Sequence, residues 1–581
     1  MNKIAIRYIV GRAGSGKSHR VLQEIDHCLQ AGGEERLILL VPEQFTLEAE
    51  RDLIQKLNLP GIMRVEVLSF TRLAQRVFNE VGGLTRTLLN EQGKNMVLRK
   101  MIDEVVRDLT IYKKAAAQAG FIPQISVLLS ELKQQGILPV QLHGMEGGTT
   151  QPILEQKLHD IALIYEHFNG YLQGRYLDSE DYLNLFIEKI DYAQLLKNSR
   201  IWLDGFTTFS PQSLKIIEKL MLLAQDITVS LTLDVDTRAR DAEIFSLSRY
   251  SWQKIQGMAQ QYNLPQTTIH LEDRALFGGK DPALLHLEQE IYAYPGQSYS
   301  DLAPALEVFA AANQNSELEY AAARIVGLVR ERGWRWRDLA VVCNDMAGYG
   351  SLIKRVFAEY GIPCFMDQKR DIMNNPLIKL ILSSGEVIRR NYRYEDVFAF
   401  FKTGFSGLAS DEIEQLENFV LRCGIQGQAW KQEFNFGSEP ALAELNRWRE
   451  DFIRPLQTLE EKMAGRQTIT AFCRAHYEYL AAVGVQNRLE AWTEKMNSQG
   501  RYEIVRENTQ LWNIVLDNFD QLVEILGDQE VNLKEYLRIL ETGLASLEVG
   551  IIPTTVDQVL VGSIQRSKSH DILGLLVLGV N

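Results

Sequence analysis

Short apolar runs alternate with amphipathic segments at the start of the chain and again around residue 340. Apolar, β-branched runs between turn residues are typical of buried strands, whereas apolar residues at helical spacing indicate helices. The predicted strands span residues 4–10, 37–41, 65–69, 201–204, 227–233, 306–312, 339–343, 362–366, 558–562 and 574–579. The predicted helices span residues 19–29, 46–57, 71–81, 317–331 and 351–360. Strands that alternate with helices in this way predict an α/β fold built on parallel sheets.

Two long stretches, residues 90–176 and 376–548, have apolar residues at helical spacing and no convincing strand. The tryptophans of the second stretch are expected to anchor helix packing rather than to stack on bases. They are Trp430, Trp448, Trp492 and Trp512. We therefore predict two α/β units, each interrupted by a helical insertion. The predicted segments are 1–89 with 177–300 for the first α/β domain, 90–176 for its insertion, 301–375 with 549–581 for the second α/β domain, and 376–548 for the second insertion.

A glycine-rich loop follows the first predicted strand and precedes the first predicted helix. Its sequence, Gly-Arg-Ala-Gly-Ser-Gly-Lys-Ser, fits the phosphate-binding pattern G-x-x-x-x-G-K-[ST]. Glycines let the backbone approach phosphates closely, and the following helix start directs N–H groups at the anion. The residues predicted to bind nucleotide are Gly11, Arg12, Ala13, Gly14, Ser15, Gly16, Lys17 and Ser18. In this pattern Lys17 reaches the β- and γ-phosphates and Ser18 holds Mg²⁺; the alternative is a glycine turn that happens to carry a lysine.

A carboxylate at the end of a neighbouring strand completes such a site in active enzymes. Asp204 directly follows the apolar run of residues 201–203, and we predict that it binds Mg²⁺ through the nucleotide. The alternative is that Asp204 caps the helix beginning near Pro211. Active ATPases usually carry a glutamate beside this aspartate to position water, and Gly205 stands there instead. We therefore expect the site to bind ATP and Mg²⁺ but to lack the usual base for hydrolysis. The sequence identifies no catalytic residue.

Other candidate clusters have simpler explanations. The acidic run of residues 178–181 could bind a metal, but carboxylates are favoured in the first turn of a helix, which is our interpretation. Glu131 and Lys133 match half of a nuclease motif, yet residues two apart on a helix do not share a face, so we expect both at the surface. No paired carboxylates with a nearby lysine occur on a credible strand, and we expect no DNA cleavage by this chain alone.

Composition narrows the class of protein further. A length of 581 residues is too great for one core. The net charge of −13 argues against a general polyanion binder but leaves room for a local basic channel. The five cysteines form no C-x-x-C pair, so a zinc or iron–sulfur site has no support and a reduced setting is indicated. No signal peptide or membrane-length apolar run occurs, and we expect a cytoplasmic protein without a membrane partner.

The glycine loop, the run Val-Leu-Ser-Phe-Thr-Arg-Leu-Ala at residues 67–74 and the interrupted double layout resemble superfamily 1 helicases of the UvrD/RecB type. This resemblance implies two RecA-like domains. Residues 559–568 resemble a later helicase motif that ends in Lys-Gly-Leu-Glu, although Ser-His-Asp follows Lys568 here. The resemblance also implies single-stranded DNA contacts at Phe70 and Thr71.

Basic residues near these two motifs extend the predicted DNA path. Arg72 lies at a predicted helix start, where an arginine and free N–H groups suit a phosphate. Arg566 and Lys568, near the degenerate later motif, are predicted to contribute from the second unit. The alternative for Arg72 is that it merely solvates a helix face.

More narrowly, the chain resembles the AddB family of helicase–nuclease subunits. The matching stretches are residues 10–17, 40–44, 179–183, 204–206 and 576–581. The resemblance implies a heterodimer with an AddA-type helicase–nuclease subunit that processes double-strand DNA ends for recombinational repair and responds to Chi sequences. It also implies a C-terminal nuclease domain with an iron–sulfur cluster, and we expect both to lie beyond Asn581.

Three functions fit these observations to different degrees. The first is an ATP-binding, helicase-like DNA-binding subunit with little motor activity of its own. The second is an autonomous superfamily 1 DNA-dependent ATPase or helicase, against which the absence of a glutamate after Asp204 argues. The third is a small-molecule kinase with a phosphate-binding loop, and the chain length and second α/β unit speak against it.

Overall fold

Backbone contacts divide the chain into two compact units. The first unit comprises Met1–Leu88, Ser130–Leu138 and Gly174–Glu317, and the second comprises Leu89–Leu129, Pro139–Gln173 and Leu318–Asn581. The computed structural model describes residues 5–57, 64–118, 120–144, 151–236, 240–271, 281–366, 370–436, 439–499, 502–549, 557–564 and 572–580. Each unit therefore collects segments that are far apart in the sequence.

The strands and helices are numbered in chain order. The strands are β1 (Ala5–Gly11), β2 (Arg36–Leu40), β3 (Val65–Leu68), β4 (Thr87–Leu88), β5 (Tyr176–Leu177), β6 (Ser199–Leu203), β7 (Asp226–Thr232), β8 (Gln266–His270), β9 (Leu339–Cys343), β10 (Cys364–Met366), β11 (Arg370–Asp371), β12 (Gln467–Thr468), β13 (Glu530–Val531), β14 (Glu548–Val549), β15 (Val559–Ser563) and β16 (Gly574–Leu578). The helices are α1 (Lys17–Ala31), α2 (Thr46–Lys56), α3 (Phe70–Val81), α4 (Glu91–Val105), α5 (Phe121–Gln134), α6 (Pro139–Gly144), α7 (Pro152–Leu172), α8 (Ser179–Lys189), α9 (Pro211–Leu223), α10 (Ser246–Gln261), α11 (Pro282–Glu290), α12 (Gln314–Arg332), α13 (Met346–Glu359), α14 (Pro376–Arg389), α15 (Tyr394–Phe401), α16 (Ser410–Cys423), α17 (Glu439–Lys462), α18 (Ile469–Ala482), α19 (Val485–Ser498), α20 (Tyr502–Leu526) and α21 (Leu533–Ala545).

A parallel sheet forms the centre of the first unit, with strand order β3-β2-β6-β7-β1-β8. Its inner strands bury side chains on both faces, as parallel sheets do. Tyr8 and Leu203 belong to the core on one face, whereas Ile9 and Trp202 belong to the core on the other. The α/β prediction is confirmed for this part of the chain.

The second unit contains a smaller parallel sheet, with strand order β10-β15-β9-β16, and a large helical portion. Strand β9 is buried throughout, and α12 and α13 contribute to the core beside it. In the helical portion, Trp430 packs against Phe452 with ring centroids 5.5 Å apart. Trp430 and Trp448 are buried, as predicted for core anchors, whereas Trp492 and Trp512 are half-buried.

Among the described residues, one predicted strand is absent, and one strand of the first sheet was not predicted. Residues 306–312 form no strand, although the structure describes all of them, and Val308 is 91% exposed. An apolar run becomes a strand only where a neighbouring strand accepts its backbone hydrogen bonds. Conversely, β8 is absent from the predicted strands, because its sequence Gln-Thr-Thr-Ile-His lacks an apolar run; it pairs with β1 at the edge of the sheet.

None of the helices that the structure describes is long and apolar enough to cross a membrane.

Candidate nucleotide-binding site

The glycine loop connects β1 to α1, as predicted, and its geometry requires glycine at several positions. Gly14 and Gly16 have φ angles of 75° and 85°, in the left-handed region that glycine adopts without strain. A Cβ atom on Gly11 would lie 2.9 Å from the carbonyl oxygen of Leu271 and closer still to the hydroxyl of Ser15. The loop backbone is therefore compact, and a side chain at Gly11 has no room.

Lys17 lies over this loop. Its Nζ atom donates hydrogen bonds to the carbonyl oxygens of Gly11, at 3.1 Å, and Arg12, at 2.9 Å. Ser18 is half-buried in the first turn of α1. The Ser15 hydroxyl is buried and has no hydrogen-bond partner in the described chain. The loop thus contains the Lys17 ammonium group, bonded to neutral carbonyl oxygens, and the Ser15 hydroxyl, which lacks a hydrogen-bond partner among the described residues.

The Arg12 side chain contacts carboxylates. Its guanidinium hydrogen-bonds to Asp234 at 3.1 Å, Asp241 at 2.5 Å and Glu288 at 3.0 Å, and it lies 5.1 Å from the Phe245 ring centroid. Any contact of Arg12 with a nucleotide in this arrangement comes through its backbone. No local sequence pattern reveals these partners, because they are more than 200 residues away along the chain.

Asp204 follows β6, at the same edge of the sheet as the loop. Strand β7 separates β6 from β1, so Asp204 is displaced from the loop strand by two strand spacings, about 10 Å. The Ser230 hydroxyl of β7 donates a hydrogen bond to the Asp204 carboxylate, a partner that sequence reasoning did not identify. The alternative role for Asp204 is wrong, because Ser210 caps α9 and accepts a hydrogen bond from the Ser213 amide at 3.1 Å.

Gly205 has a φ angle of 80°. A residue with a Cβ atom is strained in that region, at a cost of about 1–3 kcal/mol. A glutamate at position 205 would therefore distort the turn that follows β6. The lack of a carboxylate beside Asp204 is consistent with the backbone geometry of this turn.

The acidic run opens α8, as predicted: Asp178 caps the helix and accepts a hydrogen bond from the Asp181 amide at 2.9 Å. The prediction for Lys133 is wrong. Its side chain is buried and contacts Asp178 at 2.6 Å and Asp181 at 2.7 Å. Glu131 is exposed, so the two residues of the predicted surface pair face different environments. Lys133 thus pairs with two of the carboxylates in the acidic run.

The first predicted DNA contacts lie at the start of α3. Ser69 caps this helix by accepting a hydrogen bond from the Arg72 amide at 3.2 Å. Phe70 is buried and its ring packs 5.5 Å from that of Phe206, whereas Thr71 and Arg72 are exposed. The structure therefore presents two of the three predicted residues to solvent.

A groove with a volume of about 530 Å³ runs along β3, the edge strand of the sheet, beside Arg72. Its other lining residues are Glu50, Val65, Glu66, Val67, Leu68, Gln75, Arg76 and Asn79. The Arg72 guanidinium lies 3.6 Å from Glu50 and 3.9 Å from Glu43. A phosphate at this position would have to compete with these carboxylates. The remaining predicted DNA contacts, Arg566 and Lys568, lie outside the described residues.

Comparison with known sequences finds a family model and several similar proteins. A family model described as ADDB, N-terminal, matches residues 8–288. Over its whole length the chain is 46% identical to the B-type subunit of the ATP-dependent helicase/deoxyribonuclease of Alkaliphilus metalliredigens and 46% identical to that of Alkaliphilus oremlandii. It is 38% identical to the protein of the same name from Acetivibrio thermocellus. The chain spans about half, 52%, of the length of each of these curated relatives. Over its whole length the chain is therefore similar to AddB-type helicase/deoxyribonuclease subunits, and residues 8–288 match the family's N-terminal model.

Proposed function

We propose that this chain is the ATP-binding, helicase-like part of an AddAB-type helicase–deoxyribonuclease subunit, and that its own motor activity is weak or absent. The observation that carries the proposal is the glycine loop between β1 and α1, with Lys17 directed onto loop carbonyls. The name shared by the relatives, which describes part of an ATP-dependent helicase/deoxyribonuclease, supports the same assignment.

The loop residues fit a nucleotide with Mg²⁺. The buried Ser15 hydroxyl has no partner in the described chain, and a buried polar group in this state is unfavourable unless a ligand or water satisfies it. Lys17 can exchange two neutral carbonyls for phosphate oxygens, because hydrogen bonds to charged acceptors are about twice as strong as those between neutral groups. Ser18 and Asp204 would hold Mg²⁺ through their oxygens. When bound, the nucleotide would stabilise one conformation of the protein relative to another.

Hydrolysis has less support than binding. Gly205 provides no carboxylate to orient water, and its φ angle of 80° disfavours a glutamate in its place. The alternative function is an autonomous superfamily 1 DNA-dependent ATPase or helicase, which requires another residue to act as the base.

The wider assembly is part of the proposal. We propose two RecA-like domains with helical insertions, divided at the residues predicted from the sequence, and an AddA-type partner in a heterodimer. The proposed DNA contacts are Thr71 and Arg72 at the start of α3, with Phe70 supporting them from the interior. The proposed role of the complex is to process double-strand DNA ends for recombinational repair, with a response to Chi, in the cytoplasm.

The experiment that separates the two functions measures binding and turnover on the same preparation. We expect the chain to bind a fluorescent ATP analogue with Mg²⁺ and to show no increase in ATP hydrolysis when saturating single-stranded DNA is added. Turnover that rises more than roughly tenfold with DNA and disappears in Lys17→Ala would favour the autonomous motor instead.

A further inference from the structure

Three acidic residues surround the guanidinium of Arg12, and we call Asp234, Asp241 and Glu288 the carboxylate clasp. They come from three separate places in the first unit. Asp234 follows β7, Asp241 precedes a short 3₁₀ turn, and Glu288 lies in α11. The side chain of Arg12 is 15% exposed, and that of Asp241 is 4% exposed. The clasp therefore holds a charge that is largely removed from solvent.

The clasp is more specific than an ordinary surface ion pair. Arg12 uses Nε on Glu288, at 3.0 and 3.2 Å, and its terminal nitrogens on Asp241 and Asp234. It also donates to the backbone carbonyl of Glu288 at 3.2 Å. Only a guanidinium offers enough donors in a fixed plane for this set. Burial opposes the charge of Arg12, but the hydrogen bonds to Asp241 and Asp234 outweigh it and raise the Arg12 pKa.

Arg12 connects this clasp to the phosphate-binding loop. Its side chain is held by the clasp while its backbone carbonyl accepts a hydrogen bond from Lys17 at 2.9 Å. The Ser15 amide also donates to the Arg12 carbonyl, at 3.2 Å. A movement of the Arg12 backbone would therefore displace both the lysine and the middle of the loop.

We propose that Arg12 is a positioning residue, and that the carboxylate clasp sets the loop shape in which a nucleoside triphosphate binds. This inference rests on the proposed function, because it assigns the clasp a role at the proposed ATP site. It makes Asp234, Asp241 and Glu288, which are far from the loop in the sequence, determinants of nucleotide affinity. It also gives a reason why the Arg12 side chain contacts carboxylates although Arg12 lies within a phosphate-binding pattern.

The clasp could act by positioning the loop or only through its negative charge, and these two roles predict opposite changes in nucleotide affinity for one substitution. If the clasp acted only through its negative charge, then Glu288→Ala would raise the affinity for a polyphosphate, because a nearby repulsive charge is removed. If the clasp positions the loop, then Glu288→Ala lowers the affinity. Arg12→Lys also distinguishes the two roles, because lysine keeps the positive charge but cannot bridge all three carboxylates.

The experiment combines two measurements on the parent chain, Arg12→Lys, Glu288→Ala, Lys17→Ala and the control Glu243→Ala. Glu243 is an exposed carboxylate near Asp241 that makes no contact with Arg12 in the part of the chain that the structure describes. The first measurement is hydrogen–deuterium exchange of peptides covering residues 11–18 without nucleotide. The second is the affinity for a fluorescent ATP analogue with Mg²⁺.

We expect faster exchange in the loop and an affinity about tenfold lower in both clasp variants, with the control unchanged. Unchanged loop exchange, or a Glu288→Ala variant that binds more tightly than the parent, would overturn the positioning role. If the parent and Lys17→Ala bind the analogue equally, the proposed ATP site fails. The exchange measurement then still decides whether the clasp positions the loop.

Discussion

At the scale of single residues, buried charges in this protein are held by dense sets of hydrogen bonds. Asp160 of α7 is fully buried and accepts hydrogen bonds from the amides of Thr110, Ile111 and Tyr112, each at 2.9 Å. The Thr110 hydroxyl donates a further hydrogen bond at 3.0 Å. One carboxylate thus satisfies the backbone of an irregular segment of the second unit.

Replacing Asp160 by alanine leaves these amides without their partner. Because hydrogen bonds to a charged group contribute more than neutral ones and several of them are lost together, we expect a loss of about 3 kcal/mol in the free energy of unfolding. Equilibrium urea unfolding of Asp160→Ala measures the loss. The control is Lys157→Ala on the exposed side of the same helix, and an equal effect of both changes would contradict this role of Asp160.

Arg72 is the residue at which the predicted binding of single-stranded DNA can be tested. It is exposed at the start of α3, and its contacts with Glu43 and Glu50 are longer than 3.5 Å, so a phosphate can displace them. We expect Arg72→Ala to weaken binding and to reduce the slope of log affinity against log salt by about 0.7, as one lost phosphate contact does. A salt series for the parent, Arg72→Ala and the control Lys56→Ala measures both quantities. Identical slopes for all three proteins would remove Arg72 from the DNA path.

At the scale of elements, the sequence pattern predicts buried strands better than exposed ones. Strands β1 and β9 are predicted because both faces are covered, which requires an unbroken apolar run. Strand β8 is missed because its place at the sheet edge permits polar residues. The run at residues 306–312 is wrongly predicted, since its local pattern contains no information about a pairing partner.

The packing of α14, α18 and α21 includes a buried histidine that gives a prediction about pH. His476 of α18 contacts the Ser384 hydroxyl and the Ile381 carbonyl of α14, each at 3.0 Å, and the Tyr536 hydroxyl of α21 at 3.1 Å. Burial lowers the pKa of His476 to about 4. In the unfolded chain the histidine pKa is about 6.5. Between about pH 4 and pH 6.5 the unfolded chain therefore binds a proton at this histidine, whereas the folded chain does not.

The stability of this helical region should consequently fall as the pH decreases from about 6.5 towards about 4, by roughly 3 kcal/mol when the full difference is titrated. We expect His476→Gln to lower the stability at neutral pH and to remove most of this pH dependence. Thermal or urea unfolding across the pH series measures both effects. The exposed His167→Gln serves as the control, and a pH dependence that survives in His476→Gln would contradict the assignment.

At the scale of the whole molecule, the candidate site assembles residues that the sequence could only partly connect. The glycines and Lys17 are predicted from one local pattern, because the chemistry of a phosphate loop constrains adjacent positions, and Asp204 is predicted from its place after an apolar strand. Ser230 and the carboxylate clasp are not predicted, because the tertiary fold brings Ser230 to Asp204 and the clasp to Arg12, and no local pattern records these contacts. The order of strands in the first sheet is likewise beyond the reach of the sequence pattern.

The most direct test of the proposed ATP site is the affinity of the chain for a fluorescent ATP analogue with Mg²⁺, compared among the parent, Lys17→Ala and Arg20→Ala. Arg20 lies on the same helix as Lys17, is exposed and pairs with Glu24, so its removal controls for lost positive charge near the site. We expect Lys17→Ala to bind roughly ten- to a hundredfold more weakly than the parent, because a charge-assisted contact to phosphate is lost, while Arg20→Ala binds nearly as well as the parent. Equal affinities of the parent and Lys17→Ala would contradict the proposed site.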